Sequence, residues 1–367
     1  MGLLKGASFR SEKGRGSLNS QQSTSSYGSV ATVNQDPFVK DEDELFELLE
    51  DMVTELDVTA VFDNDWTAFR NLCRTMKNNY NDNPFHNWEH GFSVANMATL
   101  FLVRNPELME QLGDEYTLAF FIAALGHDLD HPGNDNNFII QSKDELAEKY
   151  NHKSVLENHH ANTLIDILHQ QKNDVFSKLE KEKRMEIIEF MKDLIIATDM
   201  TFHLTHMSTL NTVDYFPKTM RHEEDRQKLL RVIMHACDLS GQVMTLPIAI
   251  SWEERISAEM MNQARKSESL GIEVPDHIIK LGNQKNRAEM QLGFIDGVLS
   301  PLWSEIGRVF PSMSPFHNHL IGVIRNHYHI LSTDGEEEAQ KYDANYWDVE
   351  ALTYISPNTN TPSKFDS

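Results

Sequence analysis

The stretch from Leu118 to Gly126, LAFFIAALG, is apolar almost throughout, and it runs directly into His127-Asp128-Leu129-Asp130-His131-Pro132-Gly133. A helix that is apolar on every side belongs inside a protein rather than on its surface. The residues that follow it therefore start near the centre of the fold, where imidazoles and carboxylates are costly unless something pairs or coordinates them. The pattern predicts a helix over this run, stopped by Pro132-Gly133, with polar chemistry at its buried end. Neighbouring residues on a regular helix point about 100° apart, so His127 and Asp128 can reach one site only if the backbone distorts there.

Two more segments share this construction. Leu229–Ser240 (LLRVIMHACDLS) is an apolar helical run ending on Asp238, and Asn83–His90 (NPFHNWEH) places His86 and His90 one turn apart, on one face if helical. A single histidine on an apolar face is more often a satisfied core residue than a ligand. Taken together, His90, His127, Asp128, His131 and Asp238 read as one metal centre. Mixed nitrogen and oxygen donors suit a divalent ion with open positions for water and substrate, which points to metal-assisted hydrolysis.

The rest of the chain reads as all-α. Leu45, Leu48, Leu49, Met52, Val53 and Leu56 form one helical stripe, as do Trp66, Phe69, Cys73 and Met76, and the period recurs over Ile187–Ile196 and Leu292–Ile306. Alternating strand patterns are scarce. We expect one compact multi-helix catalytic domain over 39–356 around a deep dimetal pocket, a disordered or linker-like segment over 1–38, and a flexible tail over 357–367. Lys5, Arg10, Lys13 and Arg15 mark the start of the first segment, which leaves room for a regulatory region upstream. Gly6 stands where a myristoylation signal prefers Ser or Thr.

Several blocks now resemble a known family, the catalytic domain of class I cyclic nucleotide phosphodiesterases within the HD-domain metallohydrolases. They are Phe85-His86-Asn87-x-x-His90, His127-Asp128-x-Asp130-His131-Pro132-Gly133, Leu156-Glu157-Asn158-His159-His160, Ala197-Thr198-Asp199-Met200, Asp238-Leu239-Ser240 and Gln291-x-Gly293-Phe294-Ile295-Asp296. They occur in family order from about Asp65 to Arg325.

The resemblance implies hydrolysis of 3',5'-cyclic nucleotides to 5'-monophosphates. It implies that His90, His127, Asp128 and Asp238 hold a tight Zn2+, with Asp128 bridging to a largely water-coordinated Mg2+ or Mn2+. Two such ions neutralise the phosphodiester and lower the pKa of a bridging water. His131, Glu157, His160, Thr198 and Asp199 would orient ligands and waters. His86 would be the general acid that protonates the leaving ribose oxygen. Gln291 would bond the purine edge, with Phe294 stacked on one face of the base, Ile256 on the other, and Met200 and Gly241 beside the pocket. Gly241 stands where many relatives carry Asn, which removes a side chain able to bond adenine and points to dual specificity for cyclic AMP and cyclic GMP. Phe85 replaces a common Tyr and should change little.

The formal net charge of −23 argues against a nucleic-acid polymer as partner, because phosphate backbones are bound chiefly by Lys and Arg. A small anionic substrate remains compatible, since metals set the field at the site. The two cysteines, Cys73 and Cys237, lie in apolar helical stretches and suit a reducing compartment. With no stretch long and apolar enough for membrane insertion and no apolar signal core, a cytoplasmic location is expected. The segments Met207–His222 and Ser267–Lys280 read as mobile loops lining the pocket, with Phe216 and Met220 as apolar contacts. The rival readings are another HD-domain nucleotide phosphohydrolase, a catalytically inactive cyclic-nucleotide-binding module, and a helical scaffold whose metal only holds the fold.

Overall fold

The computed structural model describes residues 29–214, 216 and 223–345, and among them every regular element is helical. The α-helices are Glu42–Glu55 (α1), Trp66–Lys77 (α2), Trp88–Arg104 (α3), Pro106–Leu112 (α4), Asp114–Leu125 (α5), Asn136–Gln141 (α6), Glu145–Lys149 (α7), Val155–Leu168 (α8) and Lys181–Ile196 (α9). They continue as His203–Thr212 (α10), Glu223–Asp238 (α11), Leu246–Leu270 (α12), Asp276–Ile279 (α13), Gln284–Phe294 (α14), Ser300–Val309 (α15), Gly322–Thr333 (α16) and Glu336–Asn345 (α17). No helix among the described residues is long and apolar enough to cross a membrane.

The two most apolar helices form the centre. In α5 every residue from Thr117 to Leu125 is buried, and in α3 burial runs almost unbroken from Trp88 to Leu102. They pack on each other, α9 covers α5, and α11 lies along α3. The outer helices bury a single stripe, as the sequence predicts. On α1 this stripe is Leu45, Leu49, Met52 and Val53, and the helix is started by a capping box between Asp41 and Glu44. Cys73 and Cys237 are both free and buried, and burial pushes both thiols up.

Close approach of α3 and α5 depends on Gly91. A Cβ there would lie 2.6 Å from the Tyr80 hydroxyl and 2.7 Å from the Leu125 carbonyl oxygen, and that hydroxyl donates to the same carbonyl at 2.8 Å.

Several boundaries differ from the sequence reading. The helix running into His127 ends at Leu125 with Gly126 as its cap, well before Pro132-Gly133, so His127 and Asp128 lie on a turn. His86 precedes the N-cap Asn87 of α3 and is not helical. The packed domain starts before residue 39, because the backbone polar groups of Thr32 are matched by a single side chain. Thr32 N–H donates to Asn96 Oδ1 and Thr32 C=O accepts from Asn96 Nδ2, while Ala31 and Val33 are buried. Residues 1–28 and 346–367 lie outside the described residues.

The two expected loops are helical in part, and 215 and 217–222 lie outside the described residues. Met207–Thr212 completes α10, and Ser267–Leu270 completes α12. Phe216 is a core residue, its ring 5.0 Å from that of Phe310, and Met220 lies outside the described residues. The run Leu292–Ile306 is one helical path interrupted by a π turn over Ile295–Leu299. Its cause is Pro301, whose ring nitrogen cannot donate to Gly297 and whose ring would crowd that carbonyl in a regular helix.

Gly91→Ala should cost about 1–3 kcal/mol, because a backbone oxygen cannot move aside as a side chain can. An unchanged urea midpoint would show that α3 and α5 have slack. A second expectation concerns acid. His235 is fully buried, its Nε2 3.1 Å from His203 Nδ1 and its ring 4.9 Å from that of His206. Burial pushes its imidazole down to about 3, whereas unfolded it titrates near about 6.5. The folded pKa is the lower one, so the unfolded chain takes up the proton first. The stability of the neutral cluster is complete above the unfolded value and is lost as pH falls from there towards the folded one. Urea midpoints should decline from about pH 7 to about pH 4.5 less steeply in His235→Leu than in wild type; parallel declines would exonerate this cluster.

Candidate metal centre and active site

Three helix ends meet at one point. Asn87 caps α3 by accepting from His90 N–H at 3.0 Å, which fixes His90 in the first turn. The turn after α5 supplies His127 and Asp128, and the last residue of α11 is Asp238. His90 Nε2 and His127 Nε2 each lie 3.1 Å from Asp238 Oδ1, and they stand 3.4 and 3.2 Å from Asp128 Oδ2.

These separations fit one metal ion. Donors bonded at about 2.1 Å stand about 3.0 Å apart across an octahedral edge and about 3.4 Å across a tetrahedral one. The buried Asp128 Oδ2 has no hydrogen-bond partner, and neither does His160 Nε2, 3.6 Å from Asp128 Oδ1. The Nδ1 atoms of His127 and His160 donate to the carbonyls of Ala124 and Leu129, at 2.9 and 2.6 Å, which turns each Nε2 towards the cluster.

The electrostatics are those of a cation site. Burial alone would push the His127 imidazolium down, yet Asp128 and Asp238 override it and hold its pKa well above the ordinary range. Burial would likewise raise the two carboxyls, but the positive charge on His127 holds both well below theirs. A divalent ion would take the place of that proton.

His131 belongs to the neighbouring layer rather than to the four-donor group. Its ring stacks on that of His86 at 3.9 Å, and its Nδ1 accepts from Gly133 N–H at 3.0 Å. Gly133 has φ +70°, and a Cβ there would lie 2.6 Å from Asn83 Oδ1. Asn83 in turn donates to the carbonyls of His86 and His131, at 2.9 and 2.7 Å, and so ties the two histidine turns together.

The feature that the sequence reading missed is Glu259. His86 Nδ1 forms a short hydrogen bond to its carboxylate, which also accepts from the backbone N–H groups of Phe85 and His86 at 2.9 and 3.1 Å. Burial pulls the His86 pKa down, but the Glu259 bond and the charges of Asp128, Glu259 and Asp238 raise it above the ordinary value. The His86 side chain is 26% exposed, open enough to meet a substrate. One signal was available: Glu259 falls seven residues after Trp252, on the same buried face of α12.

The remaining expected residues separate. Glu157 accepts from Asn136 at 3.1 Å, and burial followed by the charge of Asp199 pushes its carboxyl up to about 7. Thr198 turns back to the carbonyl of Ile195, and Asp199 accepts from Ser154 Oγ and Thr201 N–H, so both make local bonds. Gln291 is buried on α14, Phe294 and Ile256 are half-buried, and Met200 is exposed. A Cβ on Gly241 would meet the Trp252 ring at 3.3 Å. Trp252 itself backs the site, with ring centroids 5.3 Å from Phe85, 5.7 Å from His90 and 4.9 Å from Phe38.

Fold and cluster define a class: all-helical domains built around a buried His and Asp site able to hold a metal ion. Residues 85–320 match the family model for 3'5'-cyclic nucleotide phosphodiesterases, and the chain belongs to that family. It is 29% identical over 338 residues to the high affinity cGMP-specific 3',5'-cyclic phosphodiesterase 9A of Mus musculus, covering 90% of this chain and 61% of the relative. The human counterpart is 30% identical and 51% covered, with 83% of this chain included. The 3',5'-cyclic-AMP phosphodiesterase 4C of Mus musculus is 32% identical, over 62% of this chain and 34% of the relative. The chain thus spans at most about three-fifths of these relatives. Among solved structures, the phosphodiesterase domain of the RhoPDE fusion protein from the choanoflagellate Salpingoeca rosetta superposes with a TM-score of 0.79 at 27% identity, covering 85% of this chain and 97% of that one.

If the four donors hold an ion, wild-type protein should retain divalent metal through desalting while Asp238→Ala loses it, as read by elemental analysis. Chelation should then lower the Tm of wild type and leave that of Asp238→Ala unmoved. Equal metal content in the two proteins would reject the site.

Proposed function

We propose that this chain hydrolyses 3',5'-cyclic nucleotides, cyclic AMP and cyclic GMP alike, to 5'-nucleoside monophosphates. The observation that carries the reading is the His86–Glu259 pair set against the four-donor cluster. A proton donor with an elevated pKa stacks on one histidine layer and faces a site built for cations.

His90, His127, Asp128 and Asp238 would hold Zn2+, and Asp128 would share a second ion, Mg2+ or Mn2+. When bound, such ions neutralise the phosphodiester oxygens and activate water for in-line attack. The protein's own part is the leaving group. The 3' ribose oxygen departs as an alcohol only if it is protonated, and His86 supplies the proton from Nε2 while Glu259 keeps Nδ1–H occupied and the imidazolium charge stabilised. His160 and His131 orient the donors, and Glu157, Thr198 and Asp199 belong to the surrounding polar shell.

The base would lie between Phe294 and Ile256 with its edge against Gln291, and Met200 and Gly241 would border the same pocket. No side chain among the described residues bonds the Gln291 amide. An amide free to turn over presents donor and acceptor in either order, which matches the opposite patterns on adenine and guanine. Gly241 adds no side-chain amide of its own. Relatives named for cGMP and for cAMP both match the chain, which agrees with a pocket that accepts either base.

Initial rates with both nucleotides test this. We expect turnover of each, with kcat/KM values within about tenfold of one another. His86→Ala should lower kcat by about 10²–10⁴-fold at unchanged metal content. No turnover by metal-loaded wild type, or a His86→Ala variant as fast as wild type, would overturn the assignment.

A further inference from the structure

A buried ionic node sits one turn away from the proposed purine clamp. On α12, Glu253 is 4% exposed, and its Oε1 accepts from Ser257 Oγ at 2.6 Å. Arg287 of α14 brings Nε to 3.7 Å from the same oxygen, too far for a hydrogen bond, and this Nε is buried with no other partner. The third member is Tyr328 of α16, 1% exposed, whose hydroxyl is also buried and unpartnered. Three helices thus meet on one carboxylate, one guanidinium and one phenol that do not satisfy each other.

Stability alone does not favour such a node. The Glu253 carboxylate is removed from water while the Arg287 side chain stays 25% exposed, and apolar residues of similar volume often do as well as or better than such a pair. Each unbonded buried polar atom adds a further cost. Glu253 and Arg287 do not contact the four metal donors or the His86–Glu259 pair. Their sequence neighbours are informative. Arg287 and Gln291 are four apart on one face of α14, and Glu253 and Ile256 are three apart on α12. Side chains on a helix lean towards its N-terminus, so the Gln291 side chain leans back over the turn that carries Arg287.

We infer that Glu253 is a positioning residue for the purine clamp: by holding the Arg287 guanidinium across the α12–α14 gap, it sets Gln291 at the height of Ile256. This rests on the proposed nucleotide pocket and assigns its lateral register to a residue that does not touch substrate. The attraction is long and incompletely bonded, which suits a tie that orients one helix against another without locking it. With the carboxylate gone, Arg287 has no anion to hold it, and its donors compete for the Gln291 amide oxygen. Substrate binding should suffer while the chemistry at the metal centre does not.

The test uses Glu253→Gln and the double variant Glu253→Met/Arg287→Met, with KM, kcat, metal content and Tm measured on the full chain. Glu253→Gln should raise KM for at least one of cyclic AMP and cyclic GMP about fivefold or more, with kcat within about twofold of wild type. The double variant should raise KM similarly while its Tm equals or exceeds that of wild type, because an under-satisfied polar node has been replaced by packing. KM values within about twofold of wild type in both variants would overturn the inference. So would a joint fall of kcat, metal content and Tm, which marks an ordinary structural pair. Absence of turnover in unsubstituted protein would refute the nucleotide reading first, and the inference with it, before any variant is compared.

Discussion

Two carboxylates buried where three helices end cannot stay ionised unless a positive charge is held between them. Much of the surrounding architecture follows from that requirement. Asp128 and Asp238 are kept charged by the His127 imidazolium, and the Ala124 carbonyl holds its Nδ1–H so that Nε2 faces inward, where an ion would take the place of its proton. To bring the three ends together, α3 must lie against the last turn of α5, which is why a glycine follows His90 and why the Tyr80 hydroxyl caps the Leu125 carbonyl. The apolar character of α3 and α5 thus serves the polar cluster. Their packing contributes the free energy that a buried constellation of this kind consumes.

A second layer is built on the first. The turn before α3 carries His86, the turn after α5 carries His131, and Asn83 bonds to both carbonyls, so the two rings stack. Glu259 closes this layer from α12 with three bonds to a two-residue stretch. His86 and the His and Asp cluster are therefore fixed by different helices but share one wall, formed by Trp252 against Phe85 and His90. The charge that raises the His86 pKa comes partly from Asp128 and Asp238 of that cluster.

The helical class and the clustering of four polar residues were legible because they combine two strong signals, apolar runs at helical period and polar residues that have no reason to be there. His90, His127, Asp128 and Asp238 each end or begin such a run. Glu259 was hidden because a glutamate within a long amphipathic helix ordinarily faces water, and only its register with Trp252 distinguishes it. The N-terminal boundary was misjudged for a related reason. Residues 29–38 carry Val30, Ala31, Val33 and Phe38 without a sustained helical period, and Thr32 is anchored by a buried asparagine through its main chain, a pairing that leaves no compositional trace. The helical parts of the expected loops were missed because Ser and Thr in α10 and α12 bond back to carbonyls three or four residues earlier, as Thr209, Thr212 and Ser269 do, which lets them be accommodated in helices.

The π turn over Ile295–Leu299 carries one residue more than an α-helix would use, which advances the phase of everything after it by about 100°. Positions seven apart across the turn no longer share a face, so the buried residues Ala288 and Gln291 of α14 and the core residues Leu302, Trp303 and Ile306 of α15 obey two different helical wheels. The extra residue works as a gear offset. It lets α14 bury Ala288 and Gln291 while α15 turns its apolar side to the core, and deleting a single residue there would force one of the two to face the wrong way.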